Sequence, residues 1–551
     1  MRRIISILFC LTMIVSMLCV GTSAAEGTAI NSASDFAKME PDGKYYLNAD
    51  LTITTTYEKA FNGVFDGNGH TITTSVPLFA EFNGLVKNLT IDGAEIRGNE
   101  NLAAFAVFTF DGMKAENVVN KVDITVTGIS ADKTAGLVAG GILADSDLAS
   151  MSYFRNCSNY GNISVLTEEV ENESSGAHHA TFAGGIVGRA DGVELKYCYN
   201  NAPIVAPGNR AHVGGIVGRA AYNALMVTCD IIDCSNVADI TSGYDAGGIA
   251  GNIGVSNNNI YVPYTITYCV NTGEITGGYR VGGFVGYCYA SAANLTYYIE
   301  ITSSVSIGNV KGARPATDLG GGTQYTFLSL FIGYSNSINN KIIGSLGVGE
   351  LIPLTGEGYN TPYRCIMGCS SAKTAEMKLS DNYMYDNNTT EWYSYATADS
   401  NSAQRINIET AISEGKVTRC TLEELSSGAI LAKLNAAADT PVFKQTTGTD
   451  PYPTIDLALR EQRLSAEEPF DDPEETTTEP VVTTTKKDDQ TTAPQGDETT
   501  APQGDETTAP AGEDTTTAGG DEEKKSCKSA VLSGIAIVAI LGSAIVLGKK
   551  R

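Results

Sequence analysis

The chain has 551 residues, with 63 Asp and Glu against 37 Lys and Arg, a formal net charge of −26 and 58 glycines. Such acidity, with no basic stripe anywhere along it, excludes the electrostatic footprint of a nucleic-acid binder. Residues 27–464 are too many for one ordinary globular core, yet normal for a solenoid.

Residues 1–25 read as a secretory signal. Arg2 and Arg3 begin it, positions 4–20 are almost wholly apolar, and Gly21-Thr22-Ser23-Ala24-Ala25 offers small residues for cleavage. An uncleaved anchor helix is the rival reading. Neither Cys10 nor Cys19 follows the small-residue run of a lipoprotein. Residues 26–60 are expected to form an N-terminal cap, in which 32–39 make a short helix that turns Phe36 and Met39 towards the first coil. Asp66-Gly-Asn-Gly69 reads as a tight turn; it lacks the further spaced carboxylates of a Ca²⁺ loop.

Residues 61–420 are expected to hold the repeats. Ala183-Gly-Gly-Ile-Val-Gly-Arg189 returns as Val213-Gly-Gly-Ile-Val-Gly-Arg219, Ala246-Gly-Gly-Ile-Ala-Gly-Asn252 and Val281-Gly-Gly-Phe-Val-Gly-Tyr287. Between these copies lies a second motif: Cys157-Ser-Asn-Tyr-Gly-Asn-Ile163, Cys198-Tyr-Asn-Asn-Ala-Pro-Ile204, Cys234-Ser-Asn-Val-Ala-Asp-Ile240 and Cys269-Val-Asn-Thr-Gly-Glu-Ile275. Degenerate copies start at Val118, Ser304 and Ser345, so the steps from Val118 onward are 39, 41, 36, 35, 35 and 41 residues. Helical repeats share this period, but no unit offers a run of 3.6-residue periodicity. Short β-rich runs alternate with Asn and Gly clusters instead. A propeller is the nearest rival; its blades need longer strands and more equal units. The fold class read from this pattern is all-β: a right-handed parallel β-helix with short helical end caps.

Coils of such a solenoid stack at strand spacing, about 4.8 Å, so equivalent residues lie above one another. Cys157, Cys198, Cys234 and Cys269 are expected to form an inward column of small buried hydrophobes. Asn159, Asn200, Asn236 and Asn271 are expected to form a second column, bonded amide to amide. The Gly-Gly pair is expected to supply positive φ at a tight corner. Whether Ile/Phe or the flanking Val/Ala of that motif faces inward stays open.

The Ala-Gly-Gly-Ile-Val-Gly unit followed by Cys-x-Asn-x-Gly-x-Ile resembles the GLUG-motif repeats of bacterial surface proteins. Phe61-Asn-Gly-Val-Phe-Asp-Gly-Asn-Gly-His-Thr-Ile72, Val86-Lys-Asn-Leu-Thr-Ile91 and the stretch from Val442-Phe-Lys-Gln to Asp450-Pro-Tyr-Pro453 are similar to opening and closing elements of the same families. The resemblance covers residues 30–455, with no clean unit between 354 and 418. It implies a β-helical extracellular segment, adhesin-like or attached to exported enzymes, and no catalytic residues.

Beyond the repeats, 421–464 is expected to close the far end as a C-terminal cap, with Leu422, Leu425 and Ile430 at helical spacing. Residues 465–528 are expected to be a disordered stalk of Thr, Pro and acidic residues, since they cannot bury enough apolar surface to order themselves. Residues 465–525 hold 18 acids and 4 lysines, hence −14 of the chain's −26. The uncharged stretch 529–548 has the length of a transmembrane helix. Lys549, Lys550 and Arg551 close the chain as a cytoplasmic tail, which leaves the rest outside. The tail resembles those of Gram-positive surface proteins, though no Leu-Pro-x-Thr-Gly sorting motif precedes it. The expected location is therefore the cell membrane, single-pass, with an extracellular N-terminal region.

Chemistry is scarce. The column cysteines are expected to be reduced, because parallel in-register Cβ atoms sit farther apart than a disulfide prefers. Cys365 and Cys369 could bridge within a Gly-containing loop; Cys229 and Cys288 fall outside the register. His178-His179 reads as part of an acidic surface insertion. No catalytic, cofactor or metal site is expected. The function expected is cell-surface display and adhesion, a non-catalytic solenoid face for a glycan or a protein of a neighbouring cell. Tyr45, Tyr46, Tyr287, Tyr289, Tyr297 and Tyr298 are rings that could stack on sugars. The alternative is a polysaccharide lyase or glycoside hydrolase drawing carboxylates from loops such as 381–391. A purely structural spacer is the third reading.

Overall fold

A computed structural model describes residues 26–472, except 129–136, 147–150, 167–179, 209, 222–228, 256–263, 291–298, 314–323, 336–339, 355–358, 371–377, 387–391, 397–405, 437 and 439. The described residues belong to one compact unit. The expected signal, stalk beyond 472, membrane helix and tail lie outside them. No helix among the described residues is long and apolar enough to cross a membrane.

The unit is a parallel β-solenoid. Its sheets have 22, 18 and 8 strands. One coil shows the plan: Val193–Lys196 and Tyr199–Asn200 lie in the first sheet, Ile204–Ala206 in the second, Ala211–Gly214 and Val217–Ala221 in the third. In the eight-stranded second sheet the strand order follows chain order from Glu95–Gly98 to Leu351–Ile352, so each coil stacks on the one before. The pairings are parallel except where Trp392–Ala396 meets Ile406–Asn407, and in the Phe443–Lys444/Thr454–Ile455 hairpin. Coiling begins within the expected cap, because Thr28–Ile30 already pairs in parallel with Lys44–Leu47. It also runs through 354–418, where no unit was legible: Asn382–Tyr385 pairs with Val417–Cys420.

Interior columns hold the stack together. Ile163, Ile204, Ile240, Ile275 and Val310 lie in register and are fully buried. Each such side chain contributes roughly 1.5–3 kcal/mol by leaving water. In the glycine motif both open positions are core: Ile186, Ile216, Ile249 and Phe284, and also Val187, Val217, Ala250 and Val285. The strand breaks between Gly184 and Val187, which lets two neighbouring residues turn inward. In the first coils Phe36, Phe61, Phe65, Phe79, Phe82 and Phe105 fill the interior as one aromatic cluster. Helix Ala33–Phe36, capped by Ser32, sets Phe36 and Met39 into that core.

The glycine pair works differently from its expected role. None of Gly184, Gly185, Gly214, Gly215, Gly247 or Gly248 has positive φ. The second glycine instead leaves room for the asparagine column. A Cβ on Gly215 would stand 2.2 Å from Gly248 O and 2.5 Å from Asn236 Cγ. Positive φ falls on the residue just before each column cysteine or its equivalent: Asn156, Tyr197, Asp233, Tyr268, Ser303, Gly344 and Asp381.

The far end also differs. Helix Ile408–Ser413 puts Ile408 and Ala411 into the interior core of the last coils. Helices Leu422–Ser426 and Ala429–Asn435, expected to close that end, lie on the flank. Leu425, Ile430, Leu434 and Phe443 pack there on Val270, Val305, Leu346 and Tyr383, outward residues of four successive coils. Leu422 stays exposed. Helix Leu457–Ser465 follows, and residues 466–472, expected to begin the stalk, run back over the first sheet towards the opening coils. Tyr197 donates to Glu467 at 3.0 Å, and Arg155 donates to the Glu468 carbonyl at 2.6 Å. The Arg155 guanidinium lies 4.2 Å from the Phe470 ring centre. Lys114 donates to the Asp471 carbonyl at 3.3 Å, and Lys44 pairs with Asp472 at 3.1 Å.

Candidate ligand-binding face

The expected site columns lie in the first sheet and point inward. Cys157, Cys198, Cys234 and Cys269 are buried free thiols. Each accepts or donates across coils: the Cys198 N–H donates to Cys234 Sγ at 3.4 Å, and the Cys269 N–H to Ser304 Oγ at 3.1 Å. The column thus continues as Ser304, Ser345 and Asn382, with Ser345 N–H on Asn382 Oδ1 at 3.0 Å. Asn120, Asn159, Asn200, Asn236 and Asn271 form an amide ladder with Nδ2–Oδ1 distances of 2.8, 2.8, 2.7 and 2.8 Å. Both columns build the scaffold, because neither reaches the surface.

Burial pushes the thiols of Cys229 and Cys288 up to about 12, and those of Cys198, Cys234 and Cys269 well above the usual range. Thiolate is the reactive form. Site-resolved mass spectrometry should therefore find these five cysteines unlabelled by iodoacetamide at about pH 8 in the native chain, and labelled in guanidinium. Rapid native labelling would contradict the inward column. Cys365 lies within strand Tyr359–Ser370 rather than in a loop. The Cys369 side chain lies outside the described residues.

The outward side chains with chemical variety lie on the third sheet. Immediately before the glycine motif, Phe182, His212, Asp245, Arg280 and Phe327 stand in one register column. Immediately after it, Arg189, Arg219, Asn252, Tyr287 and Tyr334 form another. Tyr244 and Tyr279 stand at the sheet edge. Arg189, Arg219, Tyr244, Tyr279, Tyr287 and Tyr334 are half-buried, each showing part of its side chain to solvent. Segments of variable length join the third sheet to its neighbours at both edges, which is where loops carry function on a rigid scaffold.

Two Arg–Asp forks fix this face. Arg189 donates to both oxygens of Asp145 at 2.6 Å. Arg280 donates to Asp245 at 2.6 and 2.7 Å. Burial works against the Arg280 charge, but Asp245 outweighs it and holds the guanidinium above its usual range. At Asp145 burial wins, and its carboxyl is pushed up despite Arg189. His212 Nδ1 lies 2.8 Å from Asp245 Oδ2, without the alignment of a hydrogen bond. The Arg280 guanidinium sits 3.3 Å from the Tyr287 ring centre and 4.9 Å from those of Tyr244 and Tyr279. Rings continue along the axis: Phe182–His212 at 5.2 Å, Tyr244–Tyr279 at 5.0 Å, Tyr279–Phe327 at 5.6 Å and Tyr287–Tyr334 at 6.1 Å.

Of the tyrosines singled out in the sequence, only Tyr287 belongs to this face as described. Tyr45 and Tyr46 lie on Lys44–Leu47 in the first sheet, with Tyr45 against Phe61. Tyr297, Tyr298 and the Tyr289 side chain lie outside the described residues, as do His178, His179 and Glu391. Asp381 is an exposed turn residue. Asp66 accepts from Asn68 N–H at 2.7 Å, a local turn. No group of three or more His, Cys, Asp or Glu among the described residues could hold a metal. Aligning the copies of the glycine motif and reading the residues just outside it would have found the face. Those positions carry Phe, His, Asp and Arg beside unvarying apolar neighbours.

No family model matches the chain, the GLUG-motif family included, and no curated protein matches it. Two solved structures are similar at 16% identity. One, from Bacteroides ovatus, is provisionally named an immunoglobulin A1 protease; the match has a TM-score of 0.31 and covers 79% of this chain and 93% of that one. The other is an IgA1 protease, with a TM-score of 0.27 and coverage of 65% of this chain and 22% of that one. The chain thus spans about a fifth of the second protein's length. Likenesses this low carry no argument about function.

Proposed function

We propose that this is an exported, non-catalytic display protein that binds an extended glycan on the outer face of its third sheet. The observation that carries the reading is the half-buried column of Arg189, Arg219, Tyr287 and Tyr334, in register with Asn252 over successive coils, with half-buried Tyr244 and Tyr279 beside it at the sheet edge. Rigid rings present contact area at little entropic cost, and sugar faces stack on them. The β-helix is taken as right-handed, the hand that parallel crossovers favour. The signal at 1–25 and the apolar stretch at 529–548 place it at a bacterial cell surface in this reading. A glycan array with the purified chain tests it. Binding should fall about tenfold or more in a Tyr279→Ala/Tyr287→Ala variant, since each stacked ring is worth of order 1 kcal/mol. Absence of any glycan ligand, or full binding by that variant, rejects the reading.

The enzymatic alternative has one observation on its side: His212, whose imidazole is a group suited to carrying a proton, stands beside Asp245 and against Tyr244. Against it, Asp145 and Asp245 are both taken up by arginine forks. Product release from acidic or neutral polysaccharides, abolished by His212→Ala, would replace binding with catalysis.

A further inference from the structure

From the charge layout of the third-sheet face, and resting on the glycan reading above, we infer that the ligand is a carboxylate-bearing polysaccharide whose acid group seats on Arg219. Arg189 and Arg280 are each forked on an aspartate. Arg219 lies in register directly above Arg189 and meets no carboxylate at ion-pair distance among the described residues. Its guanidinium rests 5.4 Å from the Phe182 ring centre and is half-buried. Asp145 acts on it only from longer range, so its planar fork, which matches one carboxylate in two hydrogen bonds, stays open among the described residues.

The surroundings agree. Arg210 stands close enough to Tyr244 to act on its hydroxyl, and Asp191 is near Arg189. Among the described residues the face therefore sets four arginines (189, 210, 219 and 280) against three aspartates (145, 191 and 245). It is net positive on a chain of net charge −26. Such a local reversal of sign marks where an anion would be drawn. The tyrosine stacking decides between an acidic polysaccharide and an acidic peptide. Tyr244 and Tyr279 are 5.0 Å apart, close to one strand spacing, and a sugar ring in an extended chain advances by a similar step. An acidic glycan laid along the solenoid axis meets one ring per coil at Tyr244, Tyr279 and Tyr334, and its acid group reaches the Arg219 guanidinium in the coil before Tyr244.

The test uses the full chain, its Arg219→Gln and Arg219→Lys variants, and six probes. These are polygalacturonate, hyaluronan, the carboxyl-reduced form of each, dextran sulfate, and polyglutamate as the acidic peptide. At least one carboxylated polymer should bind. Carboxyl reduction and Arg219→Gln should each weaken it about tenfold, and Arg219→Lys should keep part of the affinity. Binding should weaken as salt rises. Unchanged melting of the variants shows that the solenoid is intact. Equal binding of reduced and native polymer, indifference to Arg219→Gln, or preference for dextran sulfate or an acidic peptide overturns the carboxylate assignment while the display reading stands. No binding to any glycan, here or on the array, removes the display reading itself.

Discussion

Arg460→Ala should destabilise the folded unit by about 3 kcal/mol, the penalty for stripping a buried carboxylate of a partner. Arg460 donates to Asp233 Oδ1 at 3.2 Å, to the Asp233 carbonyl at 2.8 Å and to Ser235 Oγ at 3.2 Å. The two side chains are only 7% and 2% exposed, so solvent cannot replace the lost bonds. Arg463 still reaches the same carboxylate, which keeps the loss at the low end of the buried-pair range. Burial already pushes the Asp233 carboxyl above the usual carboxylate range, with Arg460 pulling the other way. Without Arg460 that rise grows. A folded-state pKa above the unfolded one means that the folded state holds its proton more tightly. Stability is then lost as pH rises through the folded value. The variant's deficit should therefore be larger at about pH 8 than at about pH 5. Urea titrations at both values measure it. Hydrogen exchange around 233 and 456–472 shows where the damage lies, because a repeat array need not melt in one step. Arg419→Ala, at an exposed pair with Glu409, is the control and should cost well under about 1 kcal/mol. A deficit that is no larger than the control's, or that grows on acidification, would contradict the buried pair.

The second large effect is expected at Asn200→Ala, at about 2–4 kcal/mol. Asn200 is fully buried, accepts from Asn159 at 2.8 Å, and donates to Asn236 at 2.7 Å and to the Ala202 carbonyl at 3.0 Å. Alanine leaves the Asn236 oxygen without its donor and opens a void beside Gly185, whose added Cβ would have met Asn200 Oδ1 at 2.7 Å. Every ladder amide points towards the next coil, so the bonds polarise one another and the middle of the ladder should suffer most. Asn271→Ser, at the ladder's end where the next coil already carries Ser306, should cost less, about 1–2 kcal/mol. Equal midpoints for the two variants in denaturant would show that the ladder contributes nothing beyond single bonds.

The scaffold was legible because equivalent residues recur at fixed offsets. Cysteine and asparagine repeat in four copies each, and a solenoid is the arrangement that superposes them. The face was not legible for the opposite reason. Phe182, His212, Asp245 and Arg280 share one position yet no chemistry, so nothing but register unites them. Glycine misled because two physical causes select it. Positive φ was assumed, whereas close approach to Gly248 O and Asn236 is what excludes a side chain at Gly215. The true left-handed corners hold Asn156, Asp233 and Ser303, polar residues that tolerate them, and also Tyr197 and Tyr268, which give no local signal. Leu425 and Ile430 showed that a helix would bury a face; spacing alone cannot say against what. Residues 466–472 read as the start of an acidic linker, since their partners Lys44, Lys114 and Arg155 lie hundreds of positions earlier.

That returning segment sets a length standard. Pinned at Asp233 by Arg460 and at Lys44 by Asp472, it works as a tape laid beside a stack of discs. Take out one disc between the two pins, such as residues 157–197, and the tape overshoots its last mark by about 4.8 Å, enough to misplace the charges along it. An ordinary repeat array can gain or lose units by recombination with little resistance. Here each gain or loss would have to be matched by a change in the tape, so the number of turns is inherited as a whole rather than drifting one unit at a time.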